Sequence, residues 1–233
     1  MTFADSQAEP VRALILDSGG VLIRPDGTLI AALAGGVGIS VNPELAVAAI
    51  HIADRDKQLG PADGLSFPEH WANAVGCPHE YAVRLWTDIL AAVPPVRLWS
   101  IANPDAVALL TGLDLDVPRY VVTNSEGDAH HELRGCGLRA MVDGVLDSTQ
   151  VGICKPDVRI FLMAAIAMDK KLGECLYVSD TLDAPAGVGV RHVLYDPLDL
   201  YGADPGLPVE LRITRLAELL PLFGTSRVPV VVQ

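Results

Sequence analysis

The sequence predicts an α/β fold, a doubly wound parallel sheet with an inserted helical subdomain, and three observations predict it. Five short apolar runs bounded by turn residues have the length and composition of strands buried on both faces. Helical patterns separate the later runs, and such alternation means a parallel sheet with helices on both sides. About a hundred residues divide the first run from the second, too many for a crossover loop and mostly helical in pattern.

In chain order, residues 11–17 (VRALILD) stop at Gly19-Gly20 and read as the first strand. Asn42-Pro43 then opens an amphipathic helix ending near Asp54. Ser66-Phe67-Pro68-Glu69 is a capping box opening a second helix that carries Trp71. A third sets Ala82, Leu85, Trp86, Ile89 and Leu90 on an apolar face, with Glu80, Arg84 and Asp88 four apart on the wet one. These helices predict a subdomain over residues 24–95, with Trp71 and Trp86 in its core, leaving residues 1–23 and 96–233 to the α/β core. Asn103-Pro104 starts a helix that runs to Gly112, with a cap at the first residue and Pro just inside. Strands follow at residues 119–123, 141–147, 174–180 and 190–196. A helix from Pro156 shows Phe161, Ala165 and Met168 on one face.

Composition narrows the function. The 233 residues include 17 basic and 29 acidic side chains, a net charge of −12, with half the chain apolar and a fifth charged. That excludes a disordered chain and supplies a core needing no staple. Without a Lys/Arg-rich run, no nucleic acid and no membrane surface is expected as a partner, since phosphate binding needs clustered cations. No apolar run approaches the roughly 20 residues of a membrane span. Cys77, Cys136, Cys154 and Cys175 lie far apart, without CxxC or a nearby His, and read as buried thiols in a reducing compartment. The start, MTFADSQAEP, is acidic and polar where a signal peptide is basic and then apolar. A cytoplasmic protein is predicted.

Ligands of a doubly wound sheet bind at the carboxyl ends of its strands. The polar residues there are Asp17-Ser18-Gly19-Gly20, Thr123-Asn124-Ser125 and Ser179-Asp180-Thr181-Leu182-Asp183, with Lys155 before a helix. Singly, each has an ordinary role as a helix cap, a turn or a solvated side chain. Together they suit phosphate chemistry. Two carboxylates can share Mg²⁺, a lysine and a hydroxyl can hold phosphoryl oxygens, and one carboxylate can attack phosphorus.

This order and spacing resembles the haloacid dehalogenase superfamily, mostly phosphatases working through an aspartyl-phosphate. The resemblance covers nearly the whole chain, through LILDSGGVL, VVTNSEGD, MVDGVLDSTQVGICKPDVRIF and CLYVSDTLDAPAGVGVRHVLYD. The helical insertion resembles the cap of the type 1 subfamily. The resemblance implies Asp17 as nucleophile, Thr123 as the hydroxyl bonding the phosphoryl group, and Lys155 as the lysine neutralising both. It implies Mg²⁺ held by Asp17, Asp180 and the carbonyl of Gly19. Ser18 and Asn124 are expected to touch substrate. Arg24, where the chain leaves the core, is its candidate phosphate or carboxylate clamp, against a solvated hinge residue.

The sequence departs from the family's D-x-D pattern by placing Gly19 where the second Asp acts as acid and base. Losing such a group costs about 10²–10⁴-fold, less for an acidic leaving group. Asp183 follows Asp180 by three, and the stretch to Gly187 is short, so Asp183 is not assigned to the metal shell. The resemblance therefore implies a Mg²⁺-dependent phosphatase acting on a small phosphorylated metabolite and favouring acidic leaving groups. Two alternatives stand beside it. One is a catalytically silent binding or regulatory protein. The other is a metal-independent 2-haloacid dehalogenase, against which Asp180 argues. His130-His131 read as surface imidazoles.

Overall fold

The computed structural model describes residues 10–59, 64–184, 189–202 and 206–223; the stretch before Pro10, and Gly187, lie outside them. The strand β1 (Ala13–Leu16) leads to a short strand β2 (Ile23–Pro25) and four helices, α1 (Gly27–Gly36), α2 (Pro43–Leu59), α3 (Phe67–Val75) and α4 (His79–Ala92). One helical turn, α5 (Pro95–Leu98), precedes the return strand β3 (Trp99–Ala102). The remainder runs α6 (Pro104–Gly112), β4 (Arg119–Thr123), α7 (Ala129–Gly135), β5 (Gly144–Asp147), α8 (Ser148–Val151), α9 (Val158–Ala167), β6 (Cys175–Ser179), β7 (Arg191–Tyr195) and β8 (Leu211–Ile213), then a 3₁₀ helix over Leu216–Phe223.

Six parallel strands form the sheet in the order β5-β4-β1-β6-β7-β8. Successive side chains of a strand point to opposite faces. In β1, Leu14 and Leu16 join a core that includes α6 and α7, while Ala13 and Ile15 join one under α9. Both faces are therefore apolar, which is why the strands read as continuous apolar runs. The sixth strand, β8, was not expected, since its three residues are too few to register as a run. Of residues 141–147 only Gly144–Asp147 pairs as strand, because a 3₁₀ turn occupies Arg139–Met141.

α1 to α4 enclose a separate core containing Ile30, Ala49, Trp71, Leu85, Trp86 and Ile89. Trp71 is completely buried, its indole N–H donates to the Ala46 carbonyl at 3.1 Å, and it meets Trp86 edge-on at 5.7 Å. At the capping box, Glu69 accepts from the Ser66 backbone N–H at 2.7 Å and hydroxyl at 2.6 Å. α1 escaped the sequence reading because glycines stand at both its ends. Asp26 starts it by accepting from the N–H groups of Thr28 and Leu29. Leu90 departs from expectation, being 70% exposed. A helix turns about 100° per residue, so the position after buried Ile89 swings off that face.

β2 and β3 form an antiparallel ribbon, Ile23 opposite Ala102 and Arg24 opposite Ile101, so the chain leaves and re-enters the α/β part through paired backbone. The cysteines also depart from expectation. All four are free, but only Cys175 is buried, and Cys154 is exposed. Among the described residues no helix is long and apolar enough to cross a membrane.

Replacing a buried Trp by Ala costs about 3–5 kcal/mol. Trp71→Ala is expected to destabilise the protein by about that much, read from the shift in urea midpoint. A loss under about 1 kcal/mol would mean that the helical core is not built on this ring.

Candidate active site

The sheet order turns at β1: the chain fills one side with β4 and β5 and the other with β6, β7 and β8. The crevice outside β1 is thus the place for a ligand. A cavity of about 630 Å³ opens there, lined by Asp17, Ser18, Gly19, Thr123, Asn124, Lys155 and Asp180, with Asp54, Lys57 and Leu90 from the helical part. Of the expected residues, only Arg24 lies elsewhere.

Asp17 Oδ1 accepts from the Ser18 N–H at 2.7 Å and Oδ2 from Lys155 Nζ at 2.5 Å. The same ammonium donates to Tyr177 Oη at 2.9 Å and lies 2.8 Å from Asp183 Oδ2, while the Tyr177 hydroxyl donates to Asp183 Oδ1 at 2.8 Å. Burial pushes Asp17 up to about 6 against the pull of Lys155, with Asp183 and Asp180 adding to the rise. Burial also works against a charged Lys155, but Asp17 and Asp183 outweigh it and hold the ammonium's pKa above its ordinary value. Lys155 keeps Asp183 below the usual carboxylate range.

Asn124 holds the backbone of Lys155. Its side-chain carbonyl accepts from the Lys155 N–H at 2.8 Å and its amide donates to the Lys155 carbonyl at 3.1 Å. One hydrogen bond from each end of the amide aims the lysine, and the side chain lines the cavity as well. Ser18 is the opposite case: its hydroxyl is buried on the cavity floor without a hydrogen-bond partner.

Arg24 also departs from expectation. In a strand, neighbours face opposite ways; Ile23 lines the Asp17 cavity, while Arg24 lines an adjoining one of about 490 Å³ with His51, Asn103 and Tyr195. A contact of 3.2 Å between His51 Nδ1 and Asp180 Oδ2 stands between the two. This contact, with Gln58 accepting from the Leu182 N–H at 2.6 Å, brings α2 down onto the loop after β6. Burial, then Asp180, pushes Asp54 up to about 7. On α7, burial and then Asp128 and Asp147 push Glu132 up to about 7, and it lines the same cavity. His130 accepts from Arg139 at 3.2 Å and His131 is exposed; neither lines a described cavity.

The two glycines do different things. Gly20 has φ +73°, and a Cβ there would overlap the Asp180 carboxylate, which packs onto this backbone. Gly19 has no positive φ, but a Cβ would stand 3.4 Å from the Trp99 ring. Among the described residues no three His, Cys, Asp or Glu side chains converge as a ready metal cage. The donor set still fits Mg²⁺, which keeps several waters and needs few carboxylates. Asp17 and Asp180 line one cavity and repel each other, and Gly20 lets the second approach the first's loop.

A family model for haloacid dehalogenase-like hydrolases matches residues 11–189. No curated protein matches the sequence. The fold is similar to that of the HAD hydrolase YfnB of Bacillus subtilis, a structure with bound magnesium (16% identity, 93% of this chain and 100% of that one, TM-score 0.58). It is also similar to the L-2-haloacid dehalogenase RSc1362 (17%, 92% and 99%, 0.60) and to a HAD phosphatase from Thermococcus onnurineus (20%, 94% and 100%, 0.56).

The raised acids give the metal-free protein a sign of pH dependence. Between about pH 4 and pH 7 the fold holds protons on Asp17, Asp54 and Glu132 that the unfolded chain releases, so their contribution is lost as pH rises. His51, raised from its ordinary value, acts in the same sense. His192, which burial pushes down to about 4, and His130, which burial and Arg139 lower, oppose them. The metal-free protein should melt higher at about pH 5.5 than at about pH 7.5, and Asp54→Asn with Glu132→Gln should flatten that slope. Differential scanning calorimetry reads both, and an unchanged slope would refute the assignment.

Proposed function

The chain belongs to the haloacid dehalogenase-like hydrolase family, and we propose from that premise that it is a Mg²⁺-dependent phosphatase of small phosphorylated metabolites in the cytoplasm. The observation that carries this reading is Asp17, buried at the cavity floor with one oxygen held by Lys155. Lys155 holds the nucleophile, the Ser18 hydroxyl has no partner, and Thr123 closes the end of β4 beside them, while the bound Mg²⁺ of this reading would supply the charge an anionic substrate needs against the carboxylates of Asp17, Asp180 and Asp183.

In this reading an Asp17 oxygen attacks phosphorus as the bond to the leaving oxygen breaks, and the departing oxygen takes the electron pair. Lys155 steadies the charge that Asp17 gives up and that the phosphoryl oxygens keep, while the hydroxyls of Ser18 and Thr123 donate to those oxygens. Water then cleaves the aspartyl-phosphate, returning Asp17 and releasing phosphate. Asp17, Asp180 and the Gly19 carbonyl would hold Mg²⁺, which supplies positive charge against the phosphoryl oxygens when bound. Gly19 offers no proton to the leaving oxygen, which favours acidic leaving groups.

A second reading, dehalogenation with Asp17 attacking carbon, has in its favour the apolar wall formed by Leu90, Val93, Leu98 and Trp99. Metal dependence separates the two.

Phosphate release over sugar, acyl, aryl and nucleotide phosphates, with Mg²⁺ and with EDTA, tests the proposal. Asp17→Asn should lower turnover by about 10³-fold or more with the circular dichroism spectrum unchanged, and turnover within tenfold of the starting protein would remove Asp17 from the mechanism. Mg²⁺ should raise the melting temperature, and Asp180→Ala should abolish that rise whether or not a substrate is known. Chloride release unaffected by EDTA would favour dehalogenation.

A further inference from the structure

The departing oxygen of an in-line displacement lies on the far side of phosphorus from the attacking oxygen. In this family pattern the side chain two residues after the nucleophile meets that oxygen, and in this chain Gly19 has none. Its place is not left to solvent. The six-membered ring of Trp99 stands 3.4 Å from where a Cβ on Gly19 would sit. Leu98 and Val93 extend this surface, and Leu90, 70% exposed, borders the same cavity from α4. The charged residues that the helical part contributes, Asp54 and Lys57, both come from α2.

Resting on the phosphatase reading, we infer that the leaving group is an aromatic alcohol, so that the substrate is an aryl phosphate ester whose ring lies on Trp99 and Leu90. Two independent requirements meet in this class. Without a side chain at position 19 to protonate it, a group that departs readily as an anion is favoured, and a phenolate does so with about the basicity of tyrosine, pKa ~10. An aliphatic alkoxide is far more basic. The wall also favours an apolar cover, which a small acyl phosphate such as acetyl phosphate or a hydroxyl-rich sugar phosphate does not offer, whereas a flat ring does. The step balances: the Asp17 oxygen–phosphorus bond forms, the phosphorus–oxygen bond to the ring breaks, and the phenolate takes the electron pair and later a solvent proton. Water then attacks the aspartyl-phosphate, giving inorganic phosphate and a proton.

Three phosphates separate the requirements. Phenyl phosphate meets both, acetyl phosphate has the acidity without the ring, and benzyl phosphate has the ring on an alkoxide. With Mg²⁺ present, kcat for benzyl phosphate should fall about 10²-fold or more below that for phenyl phosphate, and KM for phenyl phosphate should be about tenfold below that for acetyl phosphate. Leu90→Asn, at an exposed position that tolerates change, and Trp99→Leu should each lower the phenyl-to-acetyl ratio of kcat/KM about fivefold. An unchanged ratio in both variants overturns the inference. So does rapid turnover of benzyl phosphate, and its loss in Asp54→Asn would move the proton donor to Asp54. Calorimetric binding to Asp17→Asn keeps the two readings apart. Tighter binding of phenyl than acetyl phosphate with no phosphate turnover in the unmodified enzyme would refute the phosphatase and leave the aromatic wall standing. Equal binding would refute the wall.

Discussion

Lys155 is 6% exposed, and an ammonium at that depth is tolerable only with its charge matched and its hydrogens taken. Asp17, Asp183 and the Tyr177 hydroxyl take them, and they come from the end of β1, the loop after β6 and the middle of β6. Asn124 then holds the lysine's own backbone from the end of β4. Three neighbouring strands are therefore tied around one charge, and removing the lysine would leave the Asp17 and Asp183 carboxylates without their cation. The nucleophile is positioned as a consequence of that requirement. An aspartate held on one oxygen by a lysine and on the other by the Ser18 N–H has a fixed orientation, at the crevice where the strand order turns.

The same logic sets the relation between the helical part and the sheet. Asp180 packs against the backbone of Gly20, where no side chain stands in its way, and meets His51 from α2. Asp54, one helical turn further on, faces the same carboxylate and is driven toward its neutral form by burial and by that charge. A cation near Asp180 would offset the charge that Asp54 faces and compete with His51 for the same carboxylate. One carboxylate thus joins α2 to the loop that would hold the metal in the proposed reading.

The sheet was legible because its strands are buried on both faces, which makes them apolar runs that no amphipathic helix imitates. The pairing of Asp17 with Lys155 followed from motif order. What escaped were features that depend on direction rather than on residue type. Arg24 and Ile23 are adjacent in sequence, and only the alternation of a two-residue-period ribbon sends Arg24 into the other cavity. The two hydrogen bonds of the Asn124 amide to the lysine backbone leave no trace in the sequence either, because they depend on how two loops meet. Tyr177 left one signal, a hydroxyl within an otherwise apolar run, and Trp99 left none, because its place over Gly19 depends on how the chain returns from the helices.

The absence at position 19 and the ring that fills it act on different quantities. A proton donor works only as the bond breaks, so its loss falls on kcat and differs among leaving groups by their basicity. An apolar wall meets the ring in the bound substrate and in the transition state alike, so it lowers KM without raising kcat. Neither alone would select a substrate sharply. In combination they select along two axes at once, since an ester with the right shape but a basic leaving group binds without reacting, and one with an acidic leaving group but no ring reacts only when abundant. A site that has surrendered its acid catalyst can in this way be narrower than one that retains it.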